Sequence, residues 1–587
     1  MEMMLLDKLS FRGKKRLLLM LAVFVLSLIV LSIRVGYIML FKAEEYQNMA
    51  YEQQTRDRLI APKRGSILDR NGNGIAVTES VSAVSVIHAQ IENEEETAKA
   101  LSEILELDYE DVLEDVKENV ALKRIKSKVD NETAAEIREL NLPGVMIDED
   151  VERTYPYYTL AASVIGFVGK DNQGIIGLES KYEEYLKGEP GKIMTLTDSR
   201  GRRVSDAEER VEPINGENLV TSIDVVIQQY AEQEIAAAVE AKNAKSGVII
   251  VMNPQNGEIY AMANYPTFDL NEPFTLNDEE LAAMWDTFTA EEQNEYLNQM
   301  WRNKAINDTY EPGSTFKIVT ASTGLEEGVI TPESTFNCTG SMVVGGRTIK
   351  CWRYPRTHGT QTFAEGVRNS CNPVFMAVAE RIGADTFYDY MIKFGFAEKT
   401  DIDLNGEAVG ILHKKDDIGP VELATMSFGQ TFQITPIQLL RAAAAVVNGG
   451  KLITPHFAIK TVDDNGFTVN TFEWPEGEQV ISEETSATMR EILESVVAEG
   501  TGNKAQVEGY RIGGKTATSQ KLPRGSGKYI ASFMAFAPAD DPQVMALVLI
   551  DEPEGVYYGG TVAGPVMRDL LTNILPYLNI EKTADFE

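Results

Sequence analysis

The chain has 587 residues, of which 43% are hydrophobic and 25% charged. It is too long for a single hydrophobic core, and its composition excludes a mainly disordered or fibrous protein. A formal net charge of −34 repels phosphate backbones and excludes nucleic acid as a partner class; its plain reading is a solvated, self-repelling surface.

The N-terminus reverses that sign. Lys8, Arg12, Lys14, Lys15 and Arg16 form a basic head, and an apolar run from Leu17 to Ile33 follows. Arg34 interrupts the run, and Val35 to Phe41 is apolar again apart from Gly36 and Tyr37. About 20 apolar residues span a bilayer, and Arg34 is placed to snorkel to the outer interface. The basic flank predicts a cytoplasmic tail over 1–16, a transmembrane helix over 17–40 and export of the rest. A cleaved signal peptide is the alternative. It would have a shorter apolar region, and Phe41-Lys42-Ala43-Glu44-Glu45 is a poor cleavage site.

Residues 45–215 read as a mixed region. Val81 to Ile87 is β-branched and predicts a strand. Glu94 to Leu107 and Glu132 to Leu140 predict helices, and Asn71-Gly72-Asn73-Gly74 predicts a turn. A second region, 216–578, predicts a helix over Val225 to Lys242. Strands over Gly247 to Met252 and Glu258 to Met262 are joined by the turn Asn253-Pro254-Gln255-Asn256-Gly257. Tyr529 to Ala537 and Gln543 to Ile550 predict two more strands. Strands from both ends of this region with helices between them give an α+β plan, an antiparallel sheet with helices on both sides. Residues 579–587 form a short tail.

Three motifs in the second region carry chemistry. Ser314-Thr315-Phe316-Lys317 is an S-x-x-K at a helix start, which sets a hydroxyl and an amine on one face near backbone N–H donors. Burial and nearby cations would lower the lysine pKa so that it takes the serine proton. Alone the motif is weak, since the serine also suits a helix cap. Ser370-Cys371-Asn372 is an S-x-N that alone is a polar turn before Pro373. Gly513-Gly514-Lys515-Thr516-Ala517-Thr518 sits near a predicted strand and alone is a glycine-rich turn with a surface lysine.

In this order the three match the S-x-x-K, S-x-N, K-T-G set of penicillin-binding proteins and serine β-lactamases, with Ala517 where the set has Gly. The chain resembles a class B penicillin-binding protein, a monofunctional peptidoglycan D,D-transpeptidase, over nearly its whole length. Arg64 to Gly72 resembles the family's R-G-x-I-x-D-R-N-G segment, Arg153-Thr154-Tyr155-Pro156 and Gly174 to Glu179 further motifs of its pedestal (dimerisation-type) domain, and Tyr558 to Pro565 its C-terminal end. The resemblance implies a pedestal over 45–215 and a transpeptidase domain over 216–578. It implies Ser314 as acylated nucleophile, Lys317 as general base, and Ser370 and Lys515 as a proton relay to the leaving D-alanine. Asn372 would bind the substrate amide, Thr516 and Thr518 its terminal carboxylate, and the backbone N–H groups of Ser314 and Thr518 the oxyanion. Peptidoglycan stem peptides, β-lactams and the cell membrane are the implied partners. No glycosyltransferase region stands between the anchor and Asn218, and no wall-binding module fits after Leu575, so a separate glycosyltransferase partner is implied. Division, elongation and sporulation remain open as settings. A methyl at Ala517 would stand where substrate approaches, which keeps a second reading open: a catalytically weak scaffold or regulator of a division or elongation complex. An anchored β-lactam sensor or β-lactamase is the third, and the pedestal motifs argue against it.

The chain's three cysteines, Cys338, Cys351 and Cys371, cluster with His358, one of four histidines. Three thiolates and an imidazole form a standard structural zinc set. Some class B enzymes carry a similarly placed quartet, which implies Zn2+ supporting the S-x-N motif while the acyl transfer itself needs no cofactor. The alternative is a Cys338–Cys351 disulfide, natural in an exported protein.

Overall fold

The computed structural model describes residues 11–42, 55–120, 122–197 and 203–583. Lys8, residues 43–45 of the weak cleavage site and tail residues 584–587 lie outside them. The chain forms two compact units, each drawn from several stretches.

The first unit comprises Met1–Pro62, Ser80–Val151 and Glu189–Ile214. Its helix Phe11–Phe41 extends beyond the expected span at both ends. From Gly13 to Phe41 it is apolar enough to cross a membrane, and none of its apolar stretch is buried inside the protein. A three-stranded antiparallel sheet runs Thr55–Ile60, Gly191–Thr197, Arg203–Val211. The expected helix over Glu94 to Leu107 is observed as Glu94–Leu105, capped by Asn93 and ended by Glu106 in the left-handed region (φ 53°). The expected helix over Glu132 to Leu140 is observed as Asn131–Glu139, and Asp130 caps it by accepting from the N–H groups of Glu132 and Thr133. A small core of Val84, Leu101, Leu105, Val112, Val116 and Ile137 packs these two helices with the helix Tyr109–Lys117 and the strand Gly74–Val86.

The second unit comprises Lys63–Glu79, Glu152–Gly188 and Asn215–Glu587. Its centre is a five-stranded antiparallel sheet: β1 (Ser246–Met252), β2 (Ile259–Tyr265), β3 (Gly513–Gln520), β4 (Tyr529–Ala537) and β5 (Val544–Asp551), in the order β2-β1-β5-β4-β3. The apolar runs of β1 and β5 follow from burial on both faces. Alternate residues of β1 divide between two cores: Val248, Ile250 and Met252 enter one, Ile249 and Val251 the other. Helices Val225–Ala241 and Gly559–Tyr577 cover one face, and Lys317–Glu326, Asn372–Ile382 and Pro436–Val447 contribute to the core on the other. Among the described residues strand β3 pairs only with β4, which leaves its other edge without a strand partner.

The charged residues of the pedestal motifs converge in this unit. Glu179, fully buried, accepts from Arg64 Nε at 2.6 Å and Arg153 Nε at 2.7 Å, and its backbone carbonyl accepts from Arg64 Nη2 at 2.7 Å. Tyr155 donates its hydroxyl to the same carboxylate at 3.3 Å. Asp69 holds the N-G-N-G turn by accepting from the N–H groups of Asn71 and Asn73 at 2.8 and 2.7 Å.

Candidate active site

Gly313–Thr315 is a single 3-10 turn that leads into the helix Lys317–Glu326, and Ser314 sits half-buried on the turn. Gly313 has φ 59°, and a Cβ built there would stand 2.4 Å from Ser519 Oγ of β3. Backbone conformation and the close approach of β3 both require glycine before the serine.

Lys317 and Lys515 are both fully buried. Lys317 Nζ donates to the Ser370 carbonyl at 2.8 Å, to Asn372 Oδ1 at 2.7 Å and to Ser370 Oγ at 3.2 Å. Lys515 Nζ reaches the same Ser370 Oγ at 3.0 Å and the Thr516 carbonyl at 3.1 Å. A hydroxyl has two acceptor lone pairs and one proton, so Ser370 can bridge both amines. None of these contacts is with a carboxylate. Burial therefore holds Lys317 down to about 8. Burial first, and then the neighbouring Lys317 charge, hold Lys515 well below the ordinary lysine value. Ser370 itself has φ 51°, uncommon for a residue with a side chain, where the helix Phe363–Arg368 gives way to Asn372–Ile382.

Four of the expected site residues, Lys317, Ser370, Asn372 and Lys515, are thus joined by hydrogen bonds, and Ser314 sits on the turn three residues before Lys317. Thr516 and Thr518 alternate with Lys515 along β3 and so point to its other face. There Thr516 Oγ1 donates to Thr501 Oγ1 at 3.3 Å, and Thr518 Oγ1 accepts from Gly559 N at 2.9 Å. Ala517 is 2% exposed, and a Cβ built on Gly313 would lie 3.5 Å from its methyl. The methyl thus packs toward the turn that carries Ser314.

Cys338, Cys351, His358 and Cys371 converge so that their ligand atoms all lie within 4.8 Å of one another. All three thiols are unpaired and buried. Cys351 Sγ lies 3.7 Å from His358 Nδ1, and the Cys371 thiol beside it pulls Cys351 down to about 5 while Cys371 itself is raised. Tetrahedral zinc with bonds of ~2.3 Å sets its sulfurs ~3.8 Å apart, so donor types and spacing fit that ion. Cys371 directly precedes the helix that begins with Asn372, and Asn372 Nδ2 donates to the Lys350 carbonyl at 3.3 Å, next to Cys351.

Three contacts have no local signal in the sequence. Glu311, three residues before the nucleophile, pairs with Arg524 of the β3–β4 loop and accepts from Thr431 N at 3.0 Å. Trp352 Nε1 donates to the Asn369 carbonyl at 3.0 Å, one residue before Ser370.

Residues 247–572 match the model of the penicillin binding protein transpeptidase domain, and residues 59–221 that of the penicillin-binding protein dimerisation domain. The chain belongs to the class B penicillin-binding proteins. It is 40% identical to the stage V sporulation protein D of Bacillus subtilis (strain 168) over 97% of this chain and 86% of that one. It is 30% identical to the peptidoglycan D,D-transpeptidase FtsI of Escherichia coli (strain K12), over 93% and 88%. Among solved structures it is similar to penicillin binding protein 2X of Streptococcus thermophilus, with TM-score 0.73 at 22% identity over 89% of this chain and 80% of that one, a likeness of fold. Among the described residues one long N-terminal apolar helix precedes the two domains, which fits a single-pass membrane protein.

Proposed function

We propose that the chain is a penicillin-sensitive peptidoglycan D,D-transpeptidase that works through an acyl-enzyme on Ser314. The observation that carries this reading is the pair of buried, carboxylate-free amines sharing Ser370 Oγ beside the nucleophile turn. Ser314 Oγ attacks the carbonyl between the two terminal D-alanines of a stem peptide and Lys317, in the neutral form it gains as pH rises through about 8, takes the proton. The N–H groups of Ser314 and Thr518 face the oxyanion. The C–N bond breaks, D-alanine leaves with a proton relayed through Ser370 and Lys515, and the amine of a second strand attacks the ester and restores Ser314. Asn372 holds the substrate amide. Thr516 and Thr518 take the terminal carboxylate, exchanging the contacts with Thr501 and Gly559 for it. The family membership and the relatives named as D,D-transpeptidases support the reaction class.

The Cys3His cluster would hold Zn2+ as a structural ion that fixes Cys371 and, through it, the ends of the S-x-N motif. The basic head sets the N-terminus in the cytoplasm and the catalytic domain outside. Glycan strands come from a separate glycosyltransferase. The scaffold reading drew on Ala517, whose methyl is buried and lies beside the turn that carries Ser314.

The test is acylation of the full-length chain by a fluorescent penicillin, with peptide mapping of the adduct. An adduct on Ser314 that is absent in Ser314→Ala is the expected result. A folded protein that takes no label would turn the reading to the scaffold. Native mass spectrometry of the same sample checks for one zinc ion against a two-hydrogen deficit from a disulfide.

A further inference from the structure

In a chain of net charge −34, the stretch between Glu333 and Glu365 holds four cations, Arg347, Lys350, Arg353 and Arg356, and no aspartate or glutamate. All four are exposed, and none has an ion-pair partner among the described residues. Two aromatic side chains stand open among them, Trp352 at 55% and Tyr354 at 49% exposure. Lys350 Nζ lies 4.5 Å over the Tyr354 ring. Elsewhere the exposed Lys528 and the half-buried Lys123 and Lys415 carry acidic partners. Exposed cations without such partners are available to an anion from outside.

The patch is built onto the catalytic residues. It occupies the hairpin Ser341–Val344 and Arg347–Lys350 and the loop between Cys351 and His358. The Trp352 indole is bonded to the carbonyl before Ser370, and the Lys350 carbonyl to the side chain of Asn372. A ligand held on Arg347, Arg353 and Arg356 therefore sits on the segment that is bonded, through Trp352 and Lys350, beside Ser370 and Asn372. We infer that this basic, aromatic rim binds the carboxylates of a peptidoglycan stem peptide and draws an anionic substrate to a site the rest of the surface repels. The inference rests on the transpeptidase reading. Cations next to exposed rings suit a carboxylate-bearing peptide, whose charge pairs with the guanidinium groups while its backbone lies on the indole.

The test is the full-length triple variant R347E/R353E/R356E, whose changes are all at exposed positions, together with the milder R347Q/R353Q/R356Q. Fluorescent penicillin acylation reports the site itself and is expected to stay within twofold, since that small ligand does not extend onto the rim. A thioester donor with a stem-peptide acceptor then separates the two strands. Exposed charge pairs are individually weak, so reversing three is expected to lower peptide use about tenfold, and the glutamine variant less. Raising salt should erode the wild-type advantage. A rise in donor KM assigns the rim to the donor strand, and a fall in the aminolysis-to-hydrolysis ratio assigns it to the acceptor; either supports the inference. Loss of penicillin acylation in Ser314-competent, folded wild type would sink the underlying reading instead. Unchanged donor and acceptor kinetics in the acylation-competent triple variant would overturn the inference, including when that variant loses binding to anionic lipid vesicles.

Discussion

Two places in the second unit bury two cations side by side, and they are built oppositely. At Glu179, Arg64 and Arg153 share one buried carboxylate, with a backbone carbonyl and a tyrosine hydroxyl adding bonds. At Ser370, Lys317 and Lys515 share one hydroxyl and no carboxylate. A guanidinium stays charged at any working pH, so the first cluster holds its charge and its geometry. An ammonium without a counter-ion escapes the burial penalty by releasing its proton, so burial lowers both lysines, Lys317 to about 8. Compensated charge gives a rigid joint, and uncompensated charge gives a base.

The largest break is at the amine pair. Lys317→Met keeps the volume and apolar stem but removes the base. Proton transfer by a positioned side chain contributes ~10²–10⁴-fold, so the rate of penicillin acylation should fall by about that factor while the protein stays folded. An acylation rate within tenfold of wild type would remove Lys317 from its role.

The joint should break differently. Glu179→Gln leaves buried Arg153 facing a neutral amide and Arg64 with only the partly exposed Glu183 carboxylate at 2.7 Å, and breaking a buried pair in this way destabilises by ~3–5 kcal/mol. Denaturant unfolding of the full chain should show a loss of that size, with acylation per folded molecule unchanged. A loss under ~1 kcal/mol would mean that the cluster behaves like an exposed pair.

The comparison sharpens when one cluster is made to resemble the other. Acylation requires neutral Lys317. Its rate should therefore rise as pH increases through about 8, where the proton leaves, and level off above. Asn372→Asp sets a carboxylate at the Oδ1 position that accepts from Lys317 Nζ at 2.7 Å. The charged amine gains a counter-ion, its pKa rises, and the rising limb of the profile should move up by ~1–2 pH units. A profile that keeps its midpoint in this variant would show that a group other than Lys317 governs it.

The same contrast marks what the sequence made legible. The catalytic cluster could be read because each member sits in a short motif, and the motif order narrows the chemistry. The strands at Gly247 to Met252 and Tyr529 to Ala537 could be read because burial on both faces writes a continuous apolar run. The joint could not be assembled in this way. Its three motifs were visible, but Arg64 and Glu179 are 115 residues apart, and no local periodicity says that their charges meet. The pairing of Glu311 with Arg524, 213 residues apart, was equally invisible. The direction of the Ala517 side chain was also hidden, since it depends on which face of an edge strand meets the nucleophile turn.

That residue gives the smallest expected effect. Were its methyl at the open edge of β3, Ala517→Gly would widen the cleft and change β-lactam acylation markedly. The methyl is instead buried, on the face of β3 that also carries Lys515 and Ser519, and close to Gly313. Deleting it removes about one buried methyl's worth of packing and adds a glycine's backbone freedom to a strand, each worth ~0.5–1 kcal/mol. Ala517→Gly should therefore lower unfolding stability by ~1–2 kcal/mol, yet leave the acylation rate within about threefold. The hydrogen bonds of Lys515 to Ser370 Oγ and of Gly559 N to Thr518 Oγ1 do not involve the methyl. A tenfold change in acylation with unchanged stability would place the methyl back at the substrate edge, and with it the case for a catalytically weak protein.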